Sequence, residues 1–306
     1  MIKQYKVSDF DVVYISYDEP NAEKNWADLK SKCPWAKRVH GVKGFDAAHN
    51  KAGQVSETDR VFTIDGDNRV REEFFNEILE IDDEAQKDYV FSWCGHNVIN
   101  GLAYGNGGVK LWPKHIITNM KSHEKAEEVE DAVDFCWMVT YFQMADTMSD
   151  VCVNGSPEQA FRGGYREGIK LSLDQGALPD KWDFLTKNHY KNLHRLAIWC
   201  SVGADVEYGD WALLGARMGT YDTNVLRKDH TLIADYDYMQ DFVGEMLQEY
   251  QDGTKREEAI HEYGVKLRKE LQFRIADLDA DASKWFKMVY TNPTRYGVML
   301  TERDVK

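Results

Sequence analysis

The chain contains no uninterrupted apolar run approaching the ~18 residues of a membrane span, and its opening residues, MIKQYKVSDF, lack the apolar core of a signal peptide. A protein that stays soluble where it is made, with no membrane partner, is expected. Cysteine is sparse: five residues, at 33, 94, 136, 152 and 200, odd in number and without a C-x-x-C pair. That usage argues against a disulfide framework and a zinc knuckle, and fits a reducing cytoplasm. Positive charge is also short, with 38 Lys and Arg against 52 Asp and Glu and a net charge of -14. A protein whose whole surface is a nucleic-acid footprint is excluded, because phosphate binding needs clustered cations, whereas a local basic groove is compatible. No internal repeat or low-complexity linker divides the 306 residues, which suffice to bury a full core. Aromatic residues are plentiful at 12%, a content that suits stacking on a ligand as well as core packing.

The first hundred residues alternate short β-branched runs with longer polar segments of helical spacing, the βαβ texture of a mostly parallel sheet. DVVYIS (11–16) reads as a strand, NAEKNWADLKSKC (21–33) as a helix opening at an Asn cap, and AKRVHGV as a second strand. FDAAHNKAGQVS then reads as a helix, RVFTID as a strand buried on both faces, REEFFNEILE as a helix and DYVFSWCG as a fourth strand. GLAYGNGGVKLWPK is glycine-rich and invites a tight turn or backbone contact with a ligand. The acidic HEKAEEVEDAVD (123–134) reads as a solvated helical face or loop. SPEQAFRGGYREGIKLSL (156–173) opens like a helix, although Gly163 and Gly164 weaken its middle, and helical spacing dominates from about Trp182. The expected fold is α/β, with a catalytic domain over 1–180 and a mainly helical region, a candidate for acceptor binding, over 181–306.

In open α/β sheets ligands bind beyond the carboxyl ends of the strands, and the segments there are YDEPN, HGVKG, DGDN and GHNVING. Asp65 and Asp67 flank Gly66 at the end of RVFTID and are hard oxygen donors suited to Mg²⁺ or Mn²⁺. A metal there would bridge a diphosphate and neutralise charge as a nucleotide leaves, with Gly66 keeping the backbone low for the diphosphate's approach. A polar turn after a buried strand explains the same residues without a ligand.

Residues 11–112 resemble the nucleotide-sugar-binding half of a GT-A-type glycosyltransferase. The resemblance is carried by VVYISYDEPN, DAAHNKAG and VFTIDGDN, in that order. It implies a Rossmann-like GT-A fold, a nucleotide-sugar donor such as a UDP-sugar, and Mn²⁺ or Mg²⁺ at Asp65 and Asp67. Tyr14, Ser16, Asp18 and Asn21 fall where base and ribose are held. His49 and Asn50 fall on the helix that faces ribose and diphosphate, although a surface or capping histidine is the alternative for His49. YGNGGVKLW occupies the acceptor-facing slot, which assigns Gly107, Gly108, Lys110 and Trp112, together with Trp93, to the acceptor. Glu158 and Gln159, followed by Arg162 and Arg166, are the nearest match to the family's acidic motif and Arg-bearing helix, with Gln159 where the family often has Asp. Spacings of four set Glu158, Arg162 and Arg166 along one helical face. Glu158 is then the candidate base for the acceptor hydroxyl and Arg162 a donor contact, with a structural ion pair between them as the alternative. Among His189, His194 and Arg195, the resemblance assigns His194 as a late metal or phosphate ligand, and Arg217 is a further anion-contact candidate.

ISYDEPN, CPWAKRVHGVKG, AHNKAG and TIDGDN jointly resemble small transferases of tailed bacteriophages, some of which attach sugars to hydroxylated cytosines in phage DNA. The implied reaction moves a hexose, or a pentose such as arabinose, to a hydroxylated or hydroxymethylated cytosine of duplex DNA in the host cytoplasm. The base would be flipped or reached in the major groove. DKWDFLTKNHYKNLHR interleaves cations with rings, which suits a nucleic-acid backbone or the solvated basic face of an amphipathic helix. A protein or glycan hydroxyl is the alternative acceptor, and a nucleotide-sugar-binding phage protein without transfer activity is the alternative to an enzyme.

Overall fold

The computed structural model describes residues 1–121, 141–174 and 176–290. The acidic stretch expected over 123–134 lies outside the described residues. The chain divides into two compact units. The first comprises Met1–Asn97, 103–121 and 141–152, and the second comprises Val98–Leu102 and the described residues from Val153 onward. The domain boundary expected near 180 falls inside the second unit.

In the first unit the elements are β1 (Ile2–Lys6), β2 (Asp11–Ser16), α1 (Ala22–Lys32), β3 (Lys37–His40), α2 (Phe45–Val55), β4 (Arg60–Asp65) and β5 (Asn68–Val70). They continue with β6 (Ile78–Asp82), β7 (Val90–Asn97), β8 (Ala103–Pro113), α3 (Lys114–Ile117) and β9 (Tyr141–Val151). Among the described residues a seven-stranded sheet runs in the order β3-β2-β4-β8-β7-β9-β5. β2 pairs in parallel with β3 and β4, as does β7 with β9, but β4–β8, β7–β8 and β5–β9 are antiparallel. The fold is α/β with a mixed sheet, so the mostly parallel sheet expected from the sequence is corrected.

The alternation along each central strand explains why the sheet is buried on both faces. On one face Val12, Tyr14, Phe62, Ile64, Trp93, Val109 and Leu111 join a core roofed by Leu29 of α1 and by Phe74. On the other, Val13, Val61 and Trp112 pack with Ala52 of α2 and Ile117 of α3. GLAYGNGGVKLWPK is therefore a strand, β8, because Val109 and Leu111 serve one core and Trp112 the other. REEFFNEILE is also corrected: a 3-10 turn at Glu72–Asn76 leads into β6, which pairs with β1. Leu79 and Ile81 are buried while Glu80 between them is exposed, a period of two that outweighs helix propensity. Asn21 precedes α1 but makes no cap; its amide donates to the Cys152 carbonyl at 2.8 Å instead.

The regular elements of the second unit are helices: α4 (Pro157–Lys170), α5 (Phe184–Lys187), α6 (Tyr190–Trp199), α7 (Gly209–Asn224), α8 (Tyr236–Glu249), α9 (Gly253–Leu271) and α10 (Ala280–Tyr290). Ser156 caps α4 by accepting from the Gln159 N–H at 3.1 Å, with Pro157 at the first helical position. Gly164 and Gly168 of α4 face Ala212 and Ala216 of α7, while Gly215 and Gly219 of α7 face Phe161 and Tyr165. A β-carbon at any of the four would collide with backbone of the facing helix, so these glycines set the interhelical distance. Arg217 is not an anion contact: buried, it donates to the Cys200, Ile260 and Ala276 carbonyls and pairs with Asp277 at 2.6 Å. Among the described residues no helix is long and apolar enough to cross a membrane.

Gly164→Val should lower unfolding stability by about 2–3 kcal/mol through overpacking at the α4–α7 crossing. The neighbouring Gly163 meets only Val153 at ordinary contact distance, 3.6 Å, so Gly163→Ala should be neutral or stabilising by up to about 1 kcal/mol through helix propensity. Urea denaturation of the two variants checks both signs.

Candidate functional site

The site is organised around the turn that joins β4 to β5. The Gly66 carbonyl is reached from the interior by the Tyr14 hydroxyl at 2.6 Å and the Asn25 amide at 3.0 Å. The Asp67 carbonyl accepts from the Cys152 N–H at 2.8 Å. Both turn carbonyls are thus held inward by the main body of the unit. Asn68, itself buried, donates to Asp67 Oδ1 at 2.7 Å and accepts from the buried Ser149 hydroxyl at 2.7 Å, which fixes the Asp67 carboxylate.

A third carboxylate completes the cluster. Glu19, in the loop after β2, is fastened by the Tyr17 N–H at 2.8 Å and lies over Gly66, where a β-carbon would strike its carboxyl group. Gly66 therefore makes room for Glu19, and the open approach expected above it is corrected. Gly108 of β8 similarly leaves space for Asp65 and Asn68. Asp67 is half-buried by surface area, yet protein is packed densely around its carboxyl. Burial, then the charge of Asp65, then Glu19 push Asp67 up to about 7 against the hydrogen bond from Asn68. Burial also raises Glu19 against its backbone hydrogen bonds, with Asp18 and Asp65 adding to the rise. Among the described residues no three His, Cys, Asp or Glu side chains are arranged around a common metal position.

Next to Asp65 lies Lys110 of β8, buried, with its ammonium 3.9 Å from the carboxylate and 2.9 Å from the Gly107 carbonyl. His49 of α2 is also buried, its Nδ1 2.9 Å from the Phe45 carbonyl and its ring against Phe45 and Trp112. Burial lowers the His49 pKa, while Asp65 acts in the opposite direction. The Asn50 and Asn21 side-chain carbonyls are buried without hydrogen-bond partners among the described residues.

The other expected residues are placed as follows. Tyr14 is fully buried and its hydroxyl is committed to the turn, so it positions the site from within rather than facing a ligand. Ser16 is engaged by Arg38 Nε and His40 Nδ1, each at 3.0 Å, whereas Asp18 is exposed. Trp93 and Trp112 are corrected from acceptor contacts to core residues: both are fully buried, with indole N–H groups donating to Glu77 and Thr63. Gly107 is a packing residue where the Trp93–Gly95 backbone of β7 comes close. In the second unit Glu158 and Arg162 stand 3.8 Å apart, one turn separated, and the Arg162 guanidinium lies 5.1 Å from the Tyr236 ring centroid. His194 Nε2 is 2.9 Å from the Tyr290 hydroxyl.

Sequence reasoning missed Glu19, Asn25, Asn68 and Ser149. Glu19 and Asn68 lie inside YDEPN and DGDN, the strand-end segments, so their positions were flagged without their roles; nothing local marks Asn25 or Ser149. An open hollow lined by Asp59, Lys114 and His115 lies at the amino end of β4, away from the strand ends where ligands bind. Comparison with known proteins finds no family model that matches the chain and no curated protein that matches it significantly.

The raised Asp67 pKa has a signed consequence. Between about pH 4 and pH 7 the folded protein retains a proton that the unfolded chain has released, so this group's contribution to stability declines as pH rises through that window. Asp67→Asn removes the penalty. It should exceed wild-type stability by on the order of 2 kcal/mol near pH 8, allowing for solvent screening, and by almost nothing near pH 4. Urea unfolding at both pH values measures the difference, and a gain independent of pH refutes the assignment.

Proposed function

We propose that the first unit binds a nucleoside diphosphate sugar at the Asp65-Gly66-Asp67 turn and that the protein transfers the sugar to a hydroxyl, as a metal-dependent glycosyltransferase. The observation that carries this reading is the crowding of Asp65, Asp67 and Glu19 on a turn whose carbonyls are pinned inward. Its further support is the resemblance of the strand-end motifs, and a GT-A-like arrangement with β4 at its centre belongs to the same proposal.

The donor set fits a hard divalent cation. Asp67 and Glu19, pushed toward protonation by burial and then by neighbouring carboxylates, regain favourable ionisation beside such an ion, and the turn supplies oxygen donors only. Mg²⁺ is commonly held by one or two carboxylates plus substrate phosphates, so the diphosphate itself would complete the set. Asp65 and Asp67 would hold the ion, with Glu19 beside them. The ion would supply neutralisation of the charge on the leaving diphosphate. The protein's own residues keep the geometry: Tyr14 and Asn25 hold the turn, and Asn68 orients Asp67.

In the transfer the acceptor oxygen bonds the anomeric carbon, the nucleoside diphosphate departs with the electron pair of the broken bond, and the hydroxyl proton passes to a base. Glu158 is the proposed base. It is half-exposed in the first turn of α4, and its pairing with Arg162 is loose at 3.8 Å. Hydroxymethylated cytosine in duplex DNA is the proposed acceptor, on the resemblance to phage transferases.

Incubating hydroxymethylated duplex DNA with a panel of nucleotide sugars and Mn²⁺ should add a hexose or pentose mass to the modified base. Free sugar without DNA adducts would redirect the acceptor toward a glycan or protein hydroxyl, and absence of both products refutes transfer. Glu158→Gln should lower turnover by about 100-fold or more with donor affinity unchanged; near wild-type turnover removes Glu158 as the base.

A further inference from the structure

Two buried side chains near the β4–β5 turn, His49 and Lys110, have hydrogen-bonding capacity that no other described residue takes up. His49 is 2% exposed. Its Nδ1 faces the Phe45 carbonyl at 2.9 Å, and a carbonyl only accepts, so Nδ1 carries the proton and Nε2 the lone pair. That Nε2 is buried with no hydrogen-bond partner among the described residues. Lys110 is 6% exposed and has three N–H donors, one of which meets the Gly107 carbonyl at 2.9 Å. Asp65, at 3.9 Å, is beyond hydrogen-bond range. The His49 ring lies 6.0 Å from that of Trp112 on β8, and Lys110, two residues before Trp112, is on the same face of that strand. A bound molecule that satisfied both would gain hydrogen bonds otherwise left to water.

The occupant's chemistry follows from the mismatch. His49 Nε2 requires a donor and Lys110 requires an acceptor, and a hydroxyl is both. A carboxylate would satisfy Lys110 but face Asp65, and an ammonium would satisfy His49 but face Lys110. We infer that His49 and Lys110 form a subsite that reads a hydroxyl of the donor's sugar ring, next to the diphosphate contact at Asp65 and Asp67. The inference rests on the proposed donor-binding function and adds to it a substrate class: a neutral sugar with a free hydroxyl at that position, rather than an acidic or amino sugar. His49 and Lys110 are specificity-determining residues in this account. His49 accepts from the hydroxyl while Lys110 donates to its oxygen.

The test compares bare and sugar-bearing diphosphates. Calorimetric titrations with Mn²⁺ would use UDP, GDP, CDP and ADP, each alone and as its glucose, galactose or arabinose conjugate. At least one conjugate should bind wild-type protein more tightly than its bare diphosphate. His49→Phe, which keeps a ring against Phe45 and Trp112, and Lys110→Met should each reduce that advantage, the ratio of conjugate to bare-diphosphate affinity, about tenfold. His49→Gln, whose carbonyl can accept, should restore part of it. Circular dichroism and the thermal unfolding midpoint show that each variant still folds. An unchanged advantage in the His49→Phe and Lys110→Met variants, equal loss for bare and conjugated ligands, or no wild-type advantage overturns the subsite while leaving the donor site standing. Failure of the wild type to bind any diphosphate overturns the donor site and the subsite together.

Discussion

The Gly66 carbonyl is the fixed point of the first unit. A hydroxyl from β2 and an amide from α1 both converge on it, at 2.6 and 3.0 Å, inside the core. With the carbonyl's accepting capacity taken up by protein, the peptide cannot rotate without abandoning buried hydrogen bonds, each of which would leave an unsatisfied group. The carbonyl of the next residue is tied to the end of β9 through Cys152. The direction in which Asp65 and Asp67 project is therefore a property of three strands and a helix, and not of a flexible loop.

That rigidity has an electrostatic cost. Asp65, Asp67 and Glu19 are held near one another in partly desolvated surroundings, and Asp67 responds by retaining its proton up to about pH 7. A sequence free to optimise stability would separate these charges or replace one with an amide. The buried Ser149–Asn68–Asp67 relay instead directs the carboxylate and opposes its protonation. Such strain has a rationale if a cation and a diphosphate complete the arrangement. The unused valences of His49 and Lys110 beside it continue the same pattern of groups set out for a ligand.

Much of the frame was legible in the sequence. DVVYIS and RVFTID coincide with β2 and β4 because continuous apolar runs bounded by polar turns leave little choice for a strand buried on both faces. β6 was misread because Glu-rich REEFFNEILE carries strong helix propensity, whereas its burial alternates with a period of two. Glycine misled in two directions. In β8 it looked like a ligand loop but marks close approach between strands, and in α4 it looked like weakness but sets the contact with α7. The motif order pointed to the β4–β5 turn without showing which side chains turn inward. Tyr14, Trp93 and Trp112 belong to the core, and Glu19 occupies the role that its neighbour Asp18 does not. Such choices depend on the register of packed strands, which no local spacing records.

The most direct test of the central claim is a Mn²⁺ titration followed by electron paramagnetic resonance, with and without a nucleoside diphosphate. The account predicts that diphosphate strengthens Mn²⁺ binding by about tenfold or more through coupling at one site, and that an Asp65→Asn, Asp67→Asn double variant loses both the binding and the coupling. Mn²⁺ binding that ignores the diphosphate, or that persists in a folded double variant, would contradict it.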